Sequence, residues 1–260
     1  MSPLHWLSHY YPWAVPILLI GGGVLYSCLF TVFARKIVGH ARLSANNEVA
    51  GFKYAVQGVT YSVLLAFVVV VVWDEYRGAE QAARQEAKAA VDLYRLIGVF
   101  TAGDAAGMQR AIRDYVISVK DVEWSTMIDG LPNPQTSAAF QAMAGQLLGS
   151  KPTSLQEFAV YQRALDLIGQ LSDNRRERLE SAVGNIPGIL WFVLFIGAAI
   201  TLAYPAFFSQ QNFVPQIWMT ITLALTITLI MYAIVALDFP FSGAAAIEPV
   251  FFEKSLKVMS

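Results

Sequence analysis

The chain has 260 residues, 56% of them hydrophobic and only 14% charged, with a mean hydropathy of +0.48. That balance lies outside the range of soluble domains and implies an integral membrane protein, while a net charge of −1 without a basic run gives no reason to expect a nucleic-acid partner. The single cysteine, Cys28, excludes an intrachain disulfide and any metal or redox chemistry built on paired thiols.

The first residues, to Trp13, are uncharged and aromatic (Trp6, Tyr10, Tyr11, Trp13), a composition suited to a membrane interface. His5 and His9 fall one helical turn apart, but no third ligand accompanies them, which favours interfacial side chains over a metal pair. The apolar run from Ala14 to Ala34 lacks a preceding basic segment and a small-residue cleavage site, so it reads as a retained anchor. A connector with Arg35, Lys36, Arg42, Asn46, Asn47, Glu48 and Lys53 leads to a second apolar run, Tyr54 to Trp73, long enough to cross a bilayer as a helix.

Beyond Trp73 the pattern becomes one-sided. Tyr76, Ala79, Ala83, Glu86, Ala90, Leu93 and Ile97 recur at steps of three and four, with Arg77, Glu80, Arg84, Lys88 and Asp92 outside that stripe, so the helix continues into solvent as an amphipathic one. Gly103 to Gly107 should break it. Met108, Ile112, Tyr115, Val116 and Val119 mark the next helix, Leu131-Pro-Asn-Pro134 a turn, and Phe140, Met143, Leu147 and Leu148 a short helix. Ser154 and Glu157 fit a capping box opening a helix with Phe158, Tyr161, Leu165, Ile168, Leu171 and Leu179 on its apolar side. Pro187 suits the first turn of a third span, and a fourth span carries Thr220, Thr222, Thr226 and Thr228.

The expected fold is therefore an all-α integral membrane protein with four transmembrane helices in two hairpins and an inserted helical extramembrane domain. The boundaries are 1–73 (spans 14–34 and 54–73), 74–185 for the domain, and 186–260 (spans 188–208 and 214–237, with a tail). Four spans place both termini and the domain on one side. Basic residues in the short connector argue that this side is extracytoplasmic, against the eight near-membrane basic residues flanking the domain side: Arg77, Arg84, Lys88, Arg175, Arg176, Arg178, Lys254 and Lys257.

No phosphate-binding loop, zinc motif or paired nucleophile and base is present, so the sequence names no catalytic residue, metal ligand or cofactor. The spans also lack an intramembrane Asp, Glu, Lys or Arg, which argues against proton-coupled transport and leaves a passive pore. Gln57, Tyr61, Leu64 or Leu65, Val68 and Val72 share a face of the second span, polar first and apolar afterward. In an oligomer this face would form a vestibule and a neck, while in a simple bundle the same residues would serve hydrogen bonding and lipid contact. Glu48, Asp74 and Glu75 are the candidate mouth charges, although Asp74 and Glu75 also suit pairing with Arg77. Arg175, Arg176 and Arg178 suit an anion or lipid headgroup, or an ion-pair network with Asp173, Glu177 and Glu180. Asp238, Pro240 and Gly243 form a structural turn after the last span. The partners implied are the bilayer, inorganic ions and further copies of the chain. Two functions fit: a homo-oligomeric ion channel gated through the helical domain, or a non-conducting membrane scaffold or sensor whose domain binds a partner.

Asn47-Glu-Val-Ala-Gly-Phe52, Gly58-Val-Thr-Tyr61, Leu64-Leu-Ala-Phe-Val68 and Trp73 resemble the opening signature of a bacterial bestrophin-like membrane family. Glu86-Ala87, Leu93-Tyr-Arg95, Glu123-Trp124, Arg175-Arg-Glu-Arg-Leu179, Ile186-Pro-Gly-Ile-Leu-Trp191 and Leu237-Asp-Phe-Pro-Phe-Ser-Gly243 extend the resemblance over nearly the whole chain. It implies two spans, a helical region and two more spans. Through the more distant bestrophins it implies a homopentameric anion channel in the bacterial inner membrane with a cytosolic domain, opposite to the side the short connector suggests. The acidic cluster of the bestrophin calcium clasp has no match here.

Overall fold

A computed structural model describes residues 3–98, 105–150, 152 and 154–260. Helices and turns account for it, with no strand among the described residues. In order the helices are α1 (Pro3–Tyr10), α2 (Ala14–Pro16), α3 (Gly22–Val38), α4 (His40–Ser44), α5 (Asn47–Ile97) and α6 (Ala105–Ser118). They are followed by α7 (Trp124–Thr126), α8 (Pro134–Leu148), α9 (Leu155–Glu180), α10 (Gly188–Ala203), α11 (Phe213–Asp238) and α12 (Val250–Val258). A π turn at Ile17–Gly21 joins α2 to α3, and another at Val119–Glu123 joins α6 to α7. The break expected at Gly103 to Gly107 falls partly outside the described residues.

Among the described residues four stretches are long and apolar enough to cross a membrane: Ala14–Val38, and parts of Asn47–Ile97, Leu155–Phe207 and Phe213–Asp238. The membrane bundle is held by side chains that α5, α10 and α11 turn toward one another: Tyr61, Leu65, Val68 and Val72 meet Leu194, Leu202, Ala224, Ile227, Met231 and Ile234. Tyr61 lies over Gly197, where an added Cβ would sit 2.5 Å from the ring. Small residues at such crossings matter in lipid, where the solvent is as apolar as the helices and association depends on close packing.

α5 is 51 residues long, about 76 Å at 1.5 Å per residue. It contains no proline and runs unbroken through Trp73, Asp74 and Glu75, so the membrane helix and the first helix of the extramembrane region are one rod. Its outer half packs mainly on α9, around Leu93, Ile97, Ile112, Tyr115, Val116, Leu167 and Leu171. Asn133 caps α8, its side chain accepting from the Gln135 amide at 2.9 Å, and Ser154 Oγ accepts from the Glu157 amide at 3.2 Å to open α9. The buried face of α9 is Ala164, Leu167, Leu171, Arg175, Arg178 and Leu179, with Tyr161, Leu165 and Ile168 partly buried against the core and Phe158 51% exposed. Of the expected apolar side only Phe158 departs, and two arginines, Arg175 and Arg178, share the core side.

The tail also joins this domain. α12 inserts Phe252 fully into the core, Ser255 Oγ donates to the Ala87 carbonyl at 3.2 Å, and Tyr94 donates to the Met259 carbonyl at 3.1 Å. The chain after the fourth span thus returns to the rod.

Candidate functional site

The membrane half of α5 places the expected pore residues on one side, turned toward the chain's own bundle. Tyr61, Leu65, Val68 and Val72 are buried inside the chain's own bundle, where the Tyr61 hydroxyl donates to the Leu194 carbonyl at 2.9 Å. Gln57 and Leu64 are half-buried at the edge of that face. Tyr61, Leu65, Val68 and Val72 thus take the bundle role that this face also suited, hydrogen bonding and packing between helices of the same chain. Periodicity marked which residues share a side but not whether that side met protein or the outside. The face that α5 turns outward carries Val56, Thr60, Val63, Phe67, Val70 and Asp74, all exposed. The Thr60 hydroxyl donates to the Val56 carbonyl at 2.9 Å, so this stripe presents apolar groups down to Asp74.

The mouth residues, by contrast, separate. Glu48 is exposed in the first turn of α5, and Asp74 is exposed at the other end of the stripe. Glu75 instead accepts from the Asn185 side chain at 2.7 Å, tying the rod to the segment that opens α10.

That segment is held from behind. One carboxylate oxygen of Asp238 accepts from the amides of Asn185 and Ile186, each at 3.1 Å. Gly184 just before them has φ +81° and lies so close to Asp238 and Phe239 that a Cβ would be 2.8 Å from the Phe239 ring and 2.9 Å from the carboxylate, so both sterics and backbone angle call for glycine. Asp238 therefore anchors the start of α10. Pro240 accepts from the Ile247 amide at 2.8 Å, and Gly243 (φ +80°) turns the chain so that the Ala245 carbonyl receives the Tyr76 hydroxyl at 3.0 Å. His5, read as interfacial, is buried with its ring stacked 4.6 Å from Phe239 at the same junction.

Just outside the junction lies a buried ionic cluster. Arg178 is fully buried and donates to Glu86 at 2.7 Å and to Glu123 at 2.8 Å, with its guanidinium 5.4 Å from the Trp124 ring. Arg175 forms a two-pronged contact with Glu123, and Tyr115 donates to Glu86 at 2.7 Å. Two carboxylates face two guanidinium groups, so the cluster is neutral. Burial pushes the Glu123 carboxyl up, but the hydrogen bonds and charges of Arg175 and Arg178 outweigh it and hold the group below its ordinary value. Burial favours loss of the Arg178 proton, and Glu86 and Glu123 more than offset that. Only Arg176 stays exposed, 3.8 Å from Asp173 and 3.9 Å from Glu180. The expected network thus exists in two parts, and its buried part uses partners from α5 and the π turn that local spacing did not show. The available signal was Glu86 itself, a carboxylate on an otherwise apolar stripe. Among the described residues no three His, Cys, Asp or Glu side chains converge as metal ligands would.

A sequence profile of the bestrophin-like domain matches residues 21–252. The chain belongs to the bestrophin-like family. No curated protein matches it, but solved structures share the fold of this bestrophin-like chain. A bacterial bestrophin homologue from Klebsiella pneumoniae, crystallised as a point variant, superposes with a TM-score of 0.72 at 12% identity, over 94% of this chain and 98% of that one. A second structure of a bestrophin homologue from the same organism gives 0.70 at 11% identity, over 92% and 97%. Identity at that level carries the fold alone. Within this bestrophin-like chain, the segments whose sequence resembled the family contain Glu86, Glu123, Arg175 and Arg178 of the ionic cluster and Asp238, Pro240 and Gly243 of the junction.

Proposed function

We propose that this bestrophin-like protein is a homo-oligomeric ion channel of the bacterial cytoplasmic membrane, with the outward face of α5 lining the pore. The observation that supports it most is the uncovered stripe of α5, apolar across the membrane and rigidly continuous with the extramembrane rod. Copies arranged around a common axis, five of them by analogy with bestrophins, would turn Val63, Phe67 and Val70 into rings. Phe67, 69% exposed in the single chain, would form the narrowest part of the neck. A neck of this kind closes by expelling water and opens when the helices separate slightly. Asp74 rings would sit at the domain-side mouth and Glu48 near the opposite one. Because α5 is unbroken, tilting the rod against α9 would move the neck directly, and the ionic cluster sets the angle between those two helices.

The test is ion flux into liposomes containing the purified protein, with reversal potentials to assign the sign of the permeant ion. Phe67→Ala should widen the neck and raise flux, and Val63→Ser should make it wet and leaky. Folded, oligomeric protein that passes no ions, and whose flux neither variant changes, would rule out the channel and favour the scaffold function instead.

A further inference from the structure

Between α5 and α11 the membrane bundle leaves an elongated groove with two chemically different ends. Its apolar part, 750 Å³, runs from Tyr54 past Gly58, Ser62 and Val69, with Leu223, Thr226 and Ile230 of α11 as the far wall. Its polar part, 480 Å³, shares Tyr54 and Leu223 with the first and reaches Asn47, Gln210 and Gln216. Tyr54 to Val69 is about 22 Å of helix, more than the about 15 Å depth of one leaflet of a bilayer. Along this part each hydroxyl is spent on a backbone carbonyl: Ser62 on Gly58 at 2.7 Å, Thr226 on Thr222 at 3.0 Å, Thr201 on Gly197 at 2.7 Å and Tyr61 on Leu194 at 2.9 Å. The wall therefore suits an apolar occupant.

The polar end carries charge. Asn47 bonds both backbone groups of Ser209, and the Gln216 side chain donates to the Phe208 carbonyl at 2.7 Å, so these amides hold the link between α10 and α11. The Arg35 guanidinium donates to the Gln210 carbonyl at 3.0 Å and to the Gln216 side chain at 3.1 Å, which puts it at the edge of this end. Only amide oxygens face it. Among the described residues it has no carboxylate partner, and its Nε donates to none of them. The Tyr54 ring, stacked 5.1 Å from Tyr204, sits where the two parts meet, and its hydroxyl likewise has no partner among the described residues. Residues 35–53 carry Arg35, Lys36, Arg42 and Lys53 against Glu48 alone.

We infer that this groove is a site for one anionic phospholipid of the bilayer, with an acyl chain along the apolar part, the phosphate on Arg35 and the Tyr54 hydroxyl beside it. Lipid tails are as apolar as the groove, so the tail alone selects nothing, and the half-buried guanidinium supplies the preference through charge-assisted hydrogen bonds. Ser62 and Phe67 point about 140° apart at about 100° per residue. A lipid in the groove thus leaves the outward stripe of α5 uncovered, and the site stands whether or not the chain conducts.

The test is native mass spectrometry of the full chain, reconstituted in vesicles of equal parts phosphatidylglycerol and phosphatidylethanolamine and released from mild detergent. The expected result is about one retained phospholipid per chain with phosphatidylglycerol preferred about fivefold, as one cationic side chain at headgroup level gives. Arg35→Gln should abolish that preference. Because Arg35 also steadies the link before α11, Gly58→Phe gives a second readout in the apolar part. A Cβ at Gly58 meets nothing within 4 Å, so the ring fills the groove without moving the backbone. Its retained phospholipid should fall to background, with helical content and assembled mass unchanged. Parent protein that keeps no stoichiometric phospholipid, or Gly58→Phe protein that keeps as much as the parent, overturns the site. A phosphatidylglycerol preference that survives Arg35→Gln, or is missing from the parent, overturns the placing of the phosphate on Arg35. A Gly58→Phe protein whose number of chains per assembly changes gives the groove to a neighbouring copy and overturns the proposal. Each of these outcomes is read without ion flux, so none decides the channel reading.

Discussion

The two halves of α5 follow one spacing and obey opposite chemistry. Tyr61, Leu65, Val68 and Val72 in the membrane, then Ala79, Ala83, Glu86, Ala90, Leu93 and Ile97 outside it, form one buried seam in steps of three and four, with only half-buried Tyr76 between them. In the lipid half the side turned away from the seam is as apolar as the seam itself. There, specificity comes from a ring lying on Gly197 and a hydroxyl on the Leu194 carbonyl. In the aqueous half the outer side is charged, so hydrophobic burial does the sorting, and the seam can hold small alanines plus one carboxylate matched to an arginine of α9. The difference teaches that "outward" is defined by the solvent. A continuous seam through both solvents is what makes the helix a single mechanical piece.

Breaking the aqueous half at its charged point should have the largest effect. Arg178→Met leaves Glu86 and Glu123 buried with too little positive charge, at a cost of about 3–5 kcal/mol, read as a large fall in the thermal midpoint of the detergent-solubilised protein. Adding Glu86→Gln to that variant should recover part of the loss, because what destabilises is the orphaned charge. No recovery would mean that the cluster acts through shape alone. The same cluster should set the response to acid. Glu123 is held below its unfolded value of about 4.3, so the stability it contributes is complete above that pH and is lost as pH falls through the lower folded value. Melting from pH 7 to pH 3 should therefore show a steep acid decline that is shallower in Glu123→Gln.

The lipid half should break more gently. Gly197→Ala puts a methyl 2.5 Å from the Tyr61 ring, and overpacking of this kind costs about 1–3 kcal/mol. Pairing it with Tyr61→Leu, which removes the ring, should restore most of the loss in the same melting assay. If Gly197→Ala melts like the parent, the contact between α5 and α10 is looser than the geometry indicates.

The spans and the long amphipathic rod were legible in the sequence because length and periodicity encode them directly. Tyr54 to Trp73 has the length of a bilayer crossing, and Ala79 to Ile97 carry a clear helical stripe. The side of α5 that faces protein was not legible. Within Val68-Val-Val-Val-Val72 every position is equally apolar, and only Tyr61 over Gly197, two residues 136 positions apart, fixes the rotation. The partners of Arg175 and Arg178 were hidden for a related reason: Glu86 and Glu123 are remote in sequence, whereas Asp173, Glu177 and Glu180 are adjacent and drew the expected network to the surface. The placement of α12 is not legible in the sequence, because the residues that receive it, Ala87 and Tyr94, lie more than 160 positions away.

Arginines three residues or fewer apart on α9 give the smallest predicted effect and the sharpest contrast. Arg176 is flanked by Arg175 and Arg178 in the chain, yet its side chain is 72% exposed and its carboxylate partners lie at 3.8 and 3.9 Å, about equally exposed. Such a pair in water contributes about 0.5 kcal/mol or less, so Arg176→Ala should shift the melting midpoint by a degree or two at most and vanish from the measurement in high salt. Arg175→Ala, one residue away, removes a guanidinium that is mostly buried against Glu123 and also donates to Ser137 at 3.1 Å, so its loss should persist in salt. Equal effects from the two substitutions would mean that α9 is rotated about its axis relative to α5. That rotation would also bring Phe158 toward the core and take Arg178 away from Glu86.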